Sequence, residues 1–132
     1  MKKLGFVGVL VSALSVVVLA GNAHFVGAPQ VTTSDSLATV SGKVAGLGNV
    51  PQIHVLVTGE AACINGGGHH PHAVNKTSAS AEGDFPVQNG KAIFAVAMEA
   101  VFQPDCAPPM TVAWSNITVT VTAEDGTLLE FP

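Results

Sequence analysis

The sequence contains no arginine and no tyrosine, and only two cysteines and one tryptophan among its 132 residues. Charged residues make up 11% of it, where soluble domains usually carry about a quarter. Each shortage excludes something. With five lysines as its only strong bases and a formal charge of −4, the chain lacks the basic surface through which proteins engage nucleic acid. No basic run or basic amphipathic helix is present to hold an anionic lipid surface. Tyrosine and arginine are both enriched in protein–protein interfaces, so their absence argues for a small ligand, a metal or no specific partner. Disorder is excluded by the 48% of apolar residues, too many for a chain that cannot bury a core.

Much of that apolar surplus sits at the front. Met1-Lys2-Lys3 is a short basic start, Leu4 to Ala20 is an uncharged run, and Ala20-Gly21-Asn22-Ala23 supplies small residues. This is the layout of a secretory signal peptide. The expectation is a leader over residues 1–23, cut after Ala23, with a cut after Ala20 as the competitor. The run is at the short end of what spans a bilayer and has no basic stop-transfer flank, so no stable membrane insertion is expected after cleavage. Residues 24–132 then form a single domain. It holds three lysines against nine acidic residues, a formal charge of −6. The expected location is secreted or extracellular.

Cys63 and Cys106 both lie in the exported part. In an oxidising compartment they are expected to pair. The bridge closes a loop of about 44 residues, which the chain-entropy model values at roughly 4 kcal/mol. The absence of a C-x-x-C spacing speaks against redox thiols.

The rest reads as strands. Ile53, Val55 and Val57 alternate with His54, Leu56 and Thr58, and Ile117, Val119 and Val121 alternate with Thr118, Thr120 and Thr122. Around Ile93 to Met98 both faces are apolar, which predicts a central strand. Shorter candidates are Phe25 to Thr32, Leu37 to Val44, Phe85 to Val87, Met110 to Trp114 and Thr127 to Phe131. Asn89-Gly90 and Asp125-Gly126 accept the positive φ angles of tight hairpins, while Gly46-Leu47-Gly48-Asn49 and Pro108-Pro109 mark bends. Seven or eight short strands with one long-range disulfide and one tryptophan predict an all-β, immunoglobulin-like antiparallel β-sandwich.

Candidate chemistry is sparse. Cys63 to Thr77 reads as the longest loop and holds His69, His70 and His72. Alternate side chains of an extended segment point the same way, so His70 and His72 can face one metal, and imidazole suits copper, nickel and zinc. A polar loop that is merely histidine-rich has the same composition. If the leader is cut after Ala23, His24 becomes the first residue. Its free amine and imidazole would chelate Cu(II) together, as at the start of lytic polysaccharide monooxygenases and small periplasmic copper carriers. One or more of His54, His69, His70 and His72 would complete that site.

Gly66-Gly67-Gly68 lacks the lysine and hydroxyl ending of a P-loop. No G-x-S-x-G elbow or free cysteine is expected. Glu82 and Asp84 fall on one side of a possible strand edge, and Glu124 and Asp125 at a turn, where acids are usually just solvated. Trp114 is expected in the core rather than as a sugar platform. Asn75-Lys76-Thr77 and Asn116-Ile117-Thr118 read as chance sequons. The expected role is therefore non-catalytic, with copper binding as the alternative.

Several segments together resemble a family of small exported, mostly bacterial proteins. They are Ala23-His24-Phe25-Val26, Ala45 to Asn49, Cys63-Ile64-Asn65-Gly66-Gly67-Gly68 with Pro71, Ala73 and Asn75-Lys76-Thr77, Asn89-Gly90-Lys91, and Cys106-Ala107-Pro108. The resemblance implies export, a disulfide and a single all-β domain, and it supplies no activity. Relatives carry lysine, asparagine or serine in place of His69, His70 and His72, which counts against a family metal site there. His24 matches the family start.

Overall fold

β-branched residues recur at every second position in the strands over 52–64 and 111–123, and the buried halves of the strands meet across two sheets. The computed structural model describes residues 22–65, 73–124, 126 and 128–132. Most of the expected leader, the triple glycine and the histidines His69, His70 and His72 lie outside the described residues. The strands are β1 (His24–Phe25), β2 (Gln30–Ser34), β3 (Leu37–Ala45), β4 (Gln52–Ile64), β5 (Ala73–Pro86), β6 (Ala92–Glu99), β7 (Thr111–Ala123) and β8 (Leu128–Phe131). The protein is all-β among the described residues, and every strand pairing is antiparallel.

In sheet A, one edge of β3 pairs with β1 and β2 and the other with β6. Sheet B runs β5-β4-β7-β8. Val40, Val44, Phe94, Val96 and Met98 of sheet A form one buried cluster with Ile53, Val55, Val57, Val119, Val121 and Leu129 of sheet B. A smaller cluster of Ala61, Cys63, Ala100 and Phe102 lies beside it, with Cys106, Met110 and Val112 packed on it. Trp114 is partly buried and packs against both clusters, in keeping with the expectation that the single tryptophan belongs to the core.

Cys63 and Cys106 are bonded, with Cα atoms 5.7 Å apart. The bridge fastens the irregular 100–110 segment, which no ladder holds, to the end of the central strand β4. Met110 Sδ lies 3.6 Å from Cys63 Sγ.

Three expectations change. β6 is not central: among the described residues it pairs with β3 alone. Its outward Ile93 is 72% exposed, and the other outward positions, Ala95, Ala97 and Glu99, are exposed too. Alanines make both faces look apolar, but the core face is Ala92, Phe94, Val96 and Met98. Second, the stretch read as a loop up to Thr77 is already β5 from Ala73 onward, paired along almost all of β4. Third, Asn89-Gly90 forms a tight turn closed by the Gln88–Lys91 bridge, yet β5 and β6, on either side, belong to different sheets. That crossing is stitched to the other one, between β3 and β4, by Leu47 N–H to Gly90 O (2.9 Å) and Val87 N–H to Pro51 O (3.0 Å).

Candidate functional site

Because β4 buries its odd-numbered residues, its even-numbered ones face outward: His54, Leu56, Thr58, Glu60 and Ala62. The register sets Asp84, Glu82, Ser80, Ser78 and Lys76 of β5 beside them on one side. On the other side stand Thr122, Thr120, Thr118, Ser115 and Ala113 of β7. The outer face of sheet B is thus a nearly continuous polar surface on three long, mutually paired strands. Such a surface is rigid, because a ladder holds each strand where a loop would leave it free.

At one end His54 is clamped. Its Nδ1 lies 2.7 Å from Asp84 Oδ1 and its Nε2 lies 2.7 Å from Glu82 Oε1. Only an imidazolium donates from both nitrogens. The hydrogen bond to Asp84, then that to Glu82, raises the His54 pKa above its ordinary 6.5, since both favour the charged form. A folded-state pKa above the unfolded one stabilises the protein below pH 6.5, and this contribution is lost as the pH rises through the folded value. All three groups are solvent-exposed, so the effect on stability is expected to stay under about 1 kcal/mol. The sharper measurement is an NMR titration. The imidazole of His54 is expected to titrate above 6.5 in the wild type and to move back down in Asp84→Asn. An unmoved titration in that variant contradicts the clamp.

The middle of the face carries a bulge. Thr58 pairs with Thr118 and Glu60 with Ser115, so β7 fits one extra residue between these pairs. Asn116 sits there with φ 53°, a left-handed conformation that asparagine tolerates better than most residues. Bulges re-aim side chains, and here the Asn116 carboxamide donates to Glu60 Oε1 at 3.0 Å. Glu60 is therefore held in place on an otherwise open surface. Two shallow depressions meet at it. One, of about 310 Å³, is lined by Thr58, Glu60, Ser78, Ser80 and Asn116. The other, of about 340 Å³, continues over Lys76, Thr77 and Ser115. Together they form a groove with hydroxyls, one carboxylate, one carboxamide and one ammonium along it.

Of the histidines proposed as metal ligands, only His24 and His54 are among the described residues, and they lie in different sheets. His24 lies on β1, opposite Ala45 in sheet A, with its Nδ1 2.5 Å from the Asn22 carbonyl oxygen. His54 lies in the other sheet, with both ring nitrogens already engaged. Among the described residues no group of three His, Cys, Asp or Glu side chains is placed to hold a metal.

Glu82 and Asp84 do share a strand face, as their spacing suggests, and His54 joins them there. Glu60, Ser78 and Ser80 carry no motif that marks them in the sequence, and Asn116 reads there only as part of a chance sequon. The strict alternation Ser78-Ala79-Ser80-Ala81-Glu82-Gly83-Asp84 was the available signal for a strand with a polar outer face. Both sequon asparagines are engaged, Asn116 with Glu60 and Asn75 with the carbonyl of Gln103 at 3.0 Å. The chain matches no protein-family model, no curated protein and no solved structure.

Proposed function

We propose that the chain is an exported, non-catalytic binding domain with an immunoglobulin-like sandwich fold. In this reading the outer face of sheet B takes a neutral, polyhydroxylated ligand such as an envelope or extracellular glycan. The fold reading is supported by strand order. β1/β2, β3 and β6 occupy the positions of strands A, B and E, and β5-β4-β7-β8 those of C′, C, F and G, as in fibronectin-type sandwiches. The disulfide departs from the antibody pattern, because it ties strand C to the segment after E instead of joining B to F. A disulfide also fits an oxidising compartment, and export is supported by the leader-like front of the sequence.

The observation that carries the ligand class is the groove at Glu60. Its carboxylate is oriented by Asn116 before any ligand arrives, and serine and threonine hydroxyls surround it. The Lys76 ammonium in the same groove offsets the charge of Glu60, so a neutral ligand is favoured over an ionic one. Sugar hydroxyls both donate and accept, which suits a mixed lining of this kind. The test is calorimetric titration with a panel of soluble neutral oligosaccharides. A hydrogen bond to a charged acceptor is worth about 1.5–3 kcal/mol, so Glu60→Gln is expected to weaken binding about ten- to hundredfold. Unchanged affinity in that variant contradicts the site.

A further inference from the structure

Resting on the export reading above, we infer that the leader is removed between Ala20 and Gly21, so that Asn22 and Ala23 belong to the mature folded domain. The small residues a signal peptidase reads occur at both possible positions. Cutting after Ala23 presents Gly21 and Ala23, and cutting after Ala20 presents Val18 and Ala20. The fold separates the two. Ala23 is 1% exposed and belongs to the main core cluster. Gly46, with φ 75°, packs so closely on the preceding residue that a Cβ there would stand 2.6 Å from the carbonyl carbon of Asn22 and 3.0 Å from the backbone nitrogen of Ala23. The Asn22 carbonyl also faces Nδ1 of His24.

β1 itself is only two residues long, His24–Phe25. Its N-terminal end is held by what precedes it. A chain beginning at His24 would leave the Ala23 site empty. It would also place a charged ammonium beside the core, where burial of an unpaired charge is unfavourable. A chain beginning at Gly21 keeps Ala23 buried and moves the ammonium three residues earlier in the chain. One consequence reaches the copper alternative. With the nitrogen of His24 in a peptide bond, the amine-and-imidazole chelate has no free amine, and His24 is an internal histidine.

The experiment is expression with the chain's own leader in an exporting bacterium, followed by intact mass determination of the exported protein. The expected mass is that of Gly21–Pro132 with one disulfide. The mass of His24–Pro132 in the exported fraction overturns this inference and leaves export standing. Full-length chain alone, with none exported, overturns the export reading and the inference with it. Ala20→Phe places a large side chain at the cut but lies outside the domain, so precursor is expected to accumulate. An unchanged mature mass in that variant also overturns the cut at Ala20. Of two purified domains, the one beginning at His24 is expected to melt at a lower temperature than the one beginning at Gly21, and equal melting contradicts a structural role for Asn22 and Ala23.

Discussion

Phe94→Ala is expected to lower stability by about 3–5 kcal/mol, the usual range for removing a buried aromatic side chain. Phe94 is 1% exposed and sits opposite Gly42 in the β3–β6 pairing. Its ring lies where a side chain on Gly42 would be, since a Cβ there would come 2.7 Å from Phe94 Cζ. The ring also packs at a tilt on Phe85 of sheet B, with centroids 6.3 Å apart. Deleting it therefore opens a hole that β3 has no side chain to fill. A domain of this size has roughly 5–15 kcal/mol in total, so the variant is expected to sit near the unfolding threshold. The pairing gives a second check. Gly42→Ala clashes in the wild type and should destabilise it, but in the Phe94→Ala background the added methyl meets empty space. A double-mutant cycle in urea should show strong coupling, and additive effects would contradict the packing described.

Loss of the Cys63–Cys106 bond is expected to be the other large effect, about 2–5 kcal/mol. The bridge closes a separation of 43 residues, and the entropic part of its effect acts on the unfolded chain. A local part acts on the folded one. The 100–110 segment carries Phe102 and Ala100 into the smaller core without a strand ladder of its own, so the bridge adds a covalent tether to the few hydrogen bonds that hold it. In the double variant Cys63→Ser, Cys106→Ser, the urea midpoint should fall. Trp114 touches that cluster, and its fluorescence should shift to the red before the larger core unfolds. A midpoint within experimental error of the wild type would contradict the assigned role.

How legible was all this in the sequence? β4 and β7 were, because valine, isoleucine and threonine alternate there and tertiary burial agrees with the pattern. β5 was legible only at its end, around Phe85, because the alanine, serine, lysine, glycine and acidic residues before it have little strand preference of their own. They form a strand because β4 offers a long edge to pair with. The Asn89-Gly90 turn was readable from local φ preferences. Which sheet each flanking strand joins is fixed by burial elsewhere, and no dipeptide encodes that. The site divides the same way. Glu82 and Asp84 share a face by simple two-residue spacing. His54, far away in sequence, reaches them through the β4–β5 register. Glu60 and Asn116 meet only because a bulge shifts β7 by one residue, and that shift appears when both strands are paired.

In the proposed function, the outer face of sheet B around Glu60 takes the ligand. The most direct measurement is an NMR amide-perturbation map of the wild-type domain titrated with the tightest-binding oligosaccharide from the panel. Shifts are expected to concentrate at Thr58, Glu60, Ser78, Ser115 and Asn116, with sheet A unmoved. Shifts centred on the sheet-crossing turns at Gly48 and Asn89, or on Lys43 and Ile93 of sheet A, would contradict it.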